Sequence, residues 1–564
     1  MTEGEKNRQG VICDMCTNEI LDEMGNILDF LERTEERFRY KTAVEDEKLS
    51  LTFHELGVMA RRIGSAVSRR VEPGNPVPVL MEKSPITLAV MLGIAYAGCF
   101  YVPVNPENPA ERQKKILEVL KAPIIITDGD ADDAADAEGR KHAADANRKK
   151  SSAAGAHKGF WIPGRAEVFT AEELLSEDAD PDRLEQIRIH SRETDILYAL
   201  FTSGSTGVPK AVMVSHGAVI RFIGHFTELF NISEKDVIGN QAPFDFDVSV
   251  KDIYSCIMTG ASLALIPKEY FATPPRLLDY LCEKKATTLI WAVSALTLVS
   301  GLKGLDYRIP GSVNKVLFSG EAMPPKQLRA WQDALPGASF VNLYGPTEIT
   351  CNCTFYKVER QFGDGEKIPA GRAFPGRTVF LLDEEGQMIV IPGKTGEICV
   401  AGESLSNGYY RDEERTAERF HMYPVDGEER ERIYKTGDLG YYNETGELMF
   451  AGRRDFQIKH MGHRIELEEI ESAMNGADGI DKSCCVFDKE RNRIFGFYMG
   501  EAEPVRVRRE MKEKLPPYMI PAKLKKVTAM PLNKNGKTDR AYFMRLVREK
   551  RQEQIPCWKG ESDI

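Results

Sequence analysis

The sequence predicts an α/β protein, with a large N-terminal domain of helices layered on parallel sheets, a β-rich subdomain at its end and a small α+β domain behind it. Three observations predict this. Between Ile27 and Phe318, apolar runs of four or five residues alternate with stretches of helical periodicity, as parallel sheets covered by helices require. From about residue 370 the texture turns to short strands and turns, in RTVFLLDEEGQMIV, GEICVAG and GELMFAG. A compact mixed segment follows from about residue 456.

In chain order, Ile27 to Phe38 reads as an amphipathic helix. A second opens at Leu51-Thr52-Phe53, with Thr52 as N-cap and Glu55 as its capping-box partner. Strand Val77 to Met81, helix Ile86 to Ala97, strand Tyr101 to Val104, helix Ala110 to Leu120 and strand Ile124 to Thr127 come next. Residues 128–165 break the alternation with an Ala-, Asp- and Lys-rich run that has almost nothing to bury, which predicts a disordered insertion. The alternation resumes with strand Val212 to Val214, helix Ala218 to Phe230, helix Lys251 to Thr259, strand Ser262 to Ile266, helix Arg276 to Glu283, and strands Thr288 to Trp291 and Lys315 to Phe318.

The chain has 564 residues, 42% hydrophobic and 29% charged, with a formal net charge of −11. That is enough to bury several domains' worth of core. Lys and Arg are interleaved with Asp and Glu, so no nucleic-acid footprint is present. A polar start without an apolar h-region, and no run of about 18 apolar residues, signal neither export nor membrane insertion, and the cytoplasm is the expected location. The eleven cysteines form no framework. Cys13 and Cys16 make one C-x-x-C without a second pair, so no zinc site is expected there.

The most telling stretch is YALFTSGSTGVPK, Tyr198 to Lys210. An apolar strand feeds a loop of Gly, Ser and Thr, closed by Pro209 and Lys210, and a second strand follows. Glycines at 204 and 207 allow close approach of a ligand to backbone N–H groups, and Thr202, Ser203, Ser205 and Thr206 add hydroxyls. These are the parts of a polyphosphate cradle with Lys210 as counter-charge, although a plain Gly/Ser surface loop has the same composition. No Gly-Lys-Ser/Thr ends it, so it is not a P-loop.

Six segments in order, YALFTSGSTGVPK, FDFDVSV (244–250), NLYGPTE (342–348), YKTGD (434–438), GRRDFQIKHMGHRIELEEIE (452–471) and PLNKNGKTDR (531–540), resemble the adenylate-forming superfamily. That superfamily includes acyl-CoA synthetases, luciferases and the adenylation domains of nonribosomal peptide synthetases. Among its members the chain looks most like the stand-alone D-alanine:carrier-protein ligases. The resemblance implies a large domain over 1–454 hinged at Asp455 to a small mobile domain over 455–545, with 546–564 as a tail.

It also implies roles. ATP, with Mg²⁺, would be held by Thr202, Ser203, Gly204, Ser205, Thr206, Gly207 and Lys210 at the phosphates, and by Gly320, Glu321, Asn342, Gly345 and Thr347. Tyr344 would face the adenine, Asp438 the ribose, Arg453 the ribose or phosphate, and Glu348 the metal, which as a hard cation suits a carboxylate. Lys537 is the implied catalytic cation, bridging the α-carboxylate and the transferring phosphate, with Thr202 and Glu348 beside it in the chemistry. The small domain would then rotate, and Gly462 would line a channel for a phosphopantetheine thiol.

For the substrate, Asp247 matches the carboxylate that pairs with the α-ammonium in amino-acid members. A buried carboxylate without a cation is costly, so its presence implies that a cation arrives. The side-chain pocket is expected from Val248, Lys251, Trp291, Leu317, Ser319, Leu343, Cys351 and Asn352. Lys251, four residues after Asp247 on one helix face, either neutralises Asp247, meets an acidic or polar substrate group, or extends to solvent. Ser319 and Lys251 stand where the D-alanine ligases carry Cys and an apolar residue, which speaks against D-alanine itself. No carrier domain fits in this length, so the acceptor is expected in trans. A carboxylate:CoA ligase is the alternative, and it has no use for Asp247.

Overall fold

A computed structural model describes residues 21, 24–128, 166–204, 207–425, 427, 429–532 and 538–549. Cys13 and Cys16, nearly all of the 128–165 insertion, Ser205, Thr206, Lys537 and the tail beyond 549 lie outside the described residues.

The described residues form two compact units, one over Met1–Pro106, Ile116–Phe201 and Lys210–Asp455, the other over Glu107–Lys115, Thr202–Pro209 and Phe456–Ile564. The segments 107–115 and 202–209 thus group with the second unit, whereas the sequence placed them with the first.

The first unit is built on two mixed sheets and one antiparallel sheet. In the nine-stranded sheet, strands Ser339–Tyr344, Lys315–Ser319, Thr288–Ala292, Val237–Asn240, Ser262–Leu265 and Thr42–Glu45 run parallel in that order. Antiparallel strands close both of its edges, Thr354–Lys357 and Arg372–Ala373 on one side and Ser50–Thr52 on the other. In the seven-stranded sheet, Ile196–Thr202, Phe100–Pro103, Pro76–Leu80, Ile124–Thr127 and Glu167–Thr170 are parallel neighbours. Lys210–Ser215 continues that sheet and pairs antiparallel with Gly408–Tyr409. Strands from Arg377–Leu382 to Leu448–Arg453 make the antiparallel sheet, which is the expected β-rich subdomain.

Local signals explain several elements. The helix Phe53–Ser68 starts at the expected capping box, where Thr52 Oγ1 accepts from the Glu55 N–H at 3.2 Å and Glu55 Oε2 accepts from the Thr52 N–H at 2.8 Å. The helix Pro85–Tyr96 is buried all round, as its unbroken apolar sequence requires. The helix Val248–Thr259 ends on Gly260 at φ +77°, a left-handed cap that glycine adopts without strain.

In the second unit, strands Gln457–His460 and His463–Glu466 form a hairpin. Met461 and Gly462 turn it at φ +53° and +82°, the two positive φ values of a two-residue hairpin turn. A three-stranded sheet packs with the helix Leu467–Asn475 around Ile470, Met474, Tyr498 and Met511. The last helix, Arg540–Glu549, runs past the expected domain end at 545.

Candidate active site

In the first unit, the 12-residue helix Val248–Thr259 and the loops after strands Lys315–Ser319 and Ser339–Tyr344 assemble a cluster of polar groups. Asp247, half-buried, sits at the N-cap of that helix, where the helix dipole favours a negative charge. Its Oδ2 accepts from the Thr347 hydroxyl at 2.8 Å, and its backbone carbonyl takes the Cys351 thiol at 3.1 Å. No cation pairs with its carboxylate among the described residues.

One turn along the helix, Lys251 is only 1% exposed, so it does not extend to solvent. Its Nζ donates to Asn352 Oδ1 at 2.8 Å and to Ser319 Oγ at 3.5 Å. Burial holds its pKa below the usual lysine value. Asn352 is brought there by the loop that follows Tyr344. A Cβ on Gly345 would lie 2.5 Å from Asn352 Cα and 2.8 Å from the Cys353 nitrogen, so only glycine lets the two stretches of backbone meet.

Leu317, Leu343 and Cys351 are buried in the same core as Ile290. Trp291 does not join them. It points to the opposite face of the sheet, where its indole N–H donates to Gly239 O at 2.7 Å and its ring packs edge-on against Phe271 and Trp331. Side chains alternate across a strand, so Trp291 shares a face with Val316 and Phe318. Ala292, in register with Ser319, stands where the sequence had put the indole.

Tyr344, Asp438 and Arg453 come together. The Tyr344 hydroxyl donates to Asp438 Oδ2 at 2.6 Å, and Arg453 Nη1 donates to Asp438 Oδ1 at 2.5 Å. Burial, then the adjacent Asp438 charge, hold the Tyr344 phenol well above the usual tyrosine range. The same guanidinium forks onto Asp455 through Nε at 2.6 Å and Nη2 at 2.8 Å. Asn342 binds Pro369 O at 2.7 Å, Gly320 takes φ +98°, and Glu321 is half-buried.

Glu348 is wholly buried. Its Oε1 lies 3.3 Å from Lys210 Nζ and accepts from the Tyr409 hydroxyl at 2.8 Å. Lys210 also stands over the Tyr409 ring, 4.8 Å from its centroid, so the expected phosphate counter-charge is here turned onto a carboxylate. Sequence reasoning missed Tyr409. It lies on a two-residue strand 199 residues from Lys210, and nothing local marks it. Among the described residues no group of three or more His, Cys, Asp or Glu could hold a metal unaided. A single hard carboxylate at Glu348 does fit a Mg²⁺ that brings phosphate oxygens and waters with it.

In the second unit, the Ser203 hydroxyl is committed to the hairpin. It donates to Arg464 O at 2.8 Å and accepts from the Glu466 N–H at 3.1 Å. Thr202 Oγ1 is buried and has no hydrogen-bond partner among the described residues, and Gly207 takes φ +77°.

A family model described as AMP-binding enzyme matches residues 31–410. The chain is 31% identical over 498 residues to bacitracin synthase 1 of Bacillus licheniformis, a match that covers 87% of this chain and 9% of that protein. It is 30% identical over 512 residues to zwittermicin A synthase ZmaJ of Bacillus cereus, covering 89% of this chain and 91% of that protein. It thus spans less than half the length of the first relatives it matches. Among solved structures, the Vibrio cholerae adenylation domain AlmE in complex with glycyl-adenosine-5'-phosphate superposes with a TM-score of 0.76 at 21% identity. That match covers 93% of this chain and 98% of AlmE, and at such identity it is a likeness of fold. Among the described residues no helix is long and apolar enough to cross a membrane.

Proposed function

The chain belongs to the AMP-binding enzyme family, as an adenylate-forming ligase of the nonribosomal-peptide adenylation type, and from that premise we propose that it is a stand-alone, cytoplasmic amino-acid ligase. It activates an amino acid as the aminoacyl adenylate and passes it to the phosphopantetheine thiol of a separate carrier protein. The observation that carries the amino-acid reading is Asp247, a half-buried carboxylate beside the Thr347 hydroxyl with no cation paired to it among the described residues. A substrate α-ammonium supplies the missing charge.

The chemistry has two balanced steps. A substrate carboxylate oxygen bonds to the α-phosphorus of ATP, and the bond to the bridging oxygen breaks, releasing pyrophosphate. The carrier thiol then attacks the acyl carbon, its proton passes to solvent, and AMP leaves. Adenylate-forming enzymes use ATP. Here Tyr344 takes the adenine face, Asp438 accepts the ribose hydroxyls and Arg453 stands beside it. The glycine-rich loop, Thr202 foremost, holds the phosphates. Glu348 would hold a Mg²⁺, which would supply charge neutralisation at the phosphates. Lys537 is the cation for the first step, the chain pivots at Asp455, and Gly462 leaves room for the thiol arm in the second.

The test is amino-acid-dependent exchange of labelled pyrophosphate into ATP, run against des-amino acids of the same shape. Exchange with amino acids, and its selective loss in Asp247→Ala, are the expected results. Exchange with des-amino acids alone would overturn the reading in favour of a carboxylate:CoA ligase.

A further inference from the structure

Asp247 and Lys251 are one helical turn apart, the spacing at which opposite charges on a helix normally pair. Here they do not. The Asp247 carboxylate takes the Thr347 hydroxyl, while the Lys251 ammonium turns to Asn352 Oδ1 and Ser319 Oγ. Both partners of Lys251 are neutral, and no carboxylate lies in salt-bridge range of it among the described residues. At 1% exposure, solvent does not compensate the charge either.

Asp252, the next residue, does not fill the gap. Adjacent helix positions do not face each other, and its Oδ2 accepts from Asn240 Nδ2 at 2.6 Å. Burial pushes its carboxyl up to about 7, so near neutral pH it carries only part of a negative charge.

An ammonium has three donors, and two of them are used. Ser319, accepting from Lys251, keeps its own O–H to donate, and no protein group takes the Asn352 side-chain N–H₂ among the described residues. Ammonium, hydroxyl and amide together form a set of donors suited to a carboxylate. Lys251, Ser319 and Asn352 are all buried, at 1%, 4% and 2% exposure, so a charge placed there is little shared with water.

Resting on the reading of this site as one that adenylates amino acids, we propose that the substrate is a dicarboxylic amino acid: its α-ammonium meets Asp247 and its side-chain carboxylate meets Lys251. These two charges, unpaired among the described residues, are then the mirror of the two non-reacting charges of the ligand. A neutral side chain leaves Lys251 buried without an anion, and a basic one adds a second cation beside it, so both are rejected.

The experiment is pyrophosphate exchange by the full chain with aspartate, glutamate, asparagine, glutamine, alanine, leucine, lysine and the des-amino acid succinate, giving kcat/KM for each. The expected result is that aspartate or glutamate exceeds its own amide by about 30-fold or more, the discrimination a buried charge pair provides. In Lys251→Gln that ratio falls to within about threefold, whereas Lys251→Arg keeps the acid ahead. Nucleotide binding reports whether each variant is folded, and if neither is, the wild-type panel decides alone. A neutral or basic amino acid as best substrate overturns the proposal and leaves the amino-acid ligase standing. Exchange with succinate but with no amino acid overturns both.

Discussion

The buried pair of Lys210 and Glu348 is the sharpest place to separate a structural from a catalytic contribution. Glu348 is fully buried and Lys210 is 8% exposed, with Nζ and Oε1 at 3.3 Å. Lys210→Met removes the ammonium beside the buried Glu348 carboxylate, and breaking such a pair from one side costs about 3–5 kcal/mol. At roughly 1 °C per kcal/mol for a chain this large, calorimetry should show the transition lowered by about 3–5 °C. Glu348→Gln is milder, because Lys210 keeps the Tyr409 ring and hydroxyl as partners. In Lys210→Met/Glu348→Gln no charge is left buried alone, and most of the lost stability returns. Pyrophosphate exchange, in contrast, stays about 100-fold or more below wild type in the double variant, because the carboxylate proposed to hold the metal is gone. If the double variant recovers exchange along with stability, the pair is structural and the catalytic assignment of Glu348 falls. A transition within about 1 °C of wild type for Lys210→Met alone would refute the burial argument.

Two further outcomes are expected. Asp252 has its carboxyl raised from 3.8 to about 7 by burial, so the folded state binds that proton more tightly than the unfolded chain does. The resulting stabilisation is complete below pH ~4 and is lost as pH rises to about 7. Asp252→Asn, which has nothing to ionise, should therefore match wild type in denaturant titrations near pH 4 and gain on it up to pH 7, by about 4 kcal/mol at most. A gain that is flat with pH would contradict the assignment. Gly345→Ala places a Cβ against backbone atoms of Asn352 and Cys353 that cannot yield, so soluble variant should melt several degrees lower and show raised KM values for both ATP and the amino acid. An unchanged melting point would refute that packing.

What was legible in the sequence was local. The Thr52–Glu55 capping box and the strand and helix spans depend on neighbours a few residues apart, and they appear within two or three residues of where the pattern put them. The polar cluster was legible because Asp247 and Thr347 lie in FDFDVSV and NLYGPTE, and because the resemblance implied Asn352 as a pocket residue. Trp291 was misplaced because Thr288–Ala292 is buried on both faces, and a strand apolar throughout carries no alternation from which to read a direction. Nor could sequence choose among the fates of Lys251. Whether a lysine extends to water or turns inward depends on Asn352, 101 residues away, arriving by way of Gly345.

Arg453 shows how one side chain can tie two parts of the first unit into a single electrostatic object. Its guanidinium presents five N–H donors in a fixed plane, and three nitrogens are already aimed, Nη1 at Asp438 and Nε with Nη2 at Asp455. Asp438 has its other oxygen on the Tyr344 hydroxyl, so an aromatic ring, two carboxylates and the guanidinium form one chain of charge-assisted hydrogen bonds. Because the fork is rigid, a shift of Asp438 toward a new donor draws on the bonds that hold Asp455, the last residue of the first unit. A lysine at 453 would keep the charge but not this geometry, since a point charge on a flexible stem can follow one carboxylate without moving the other.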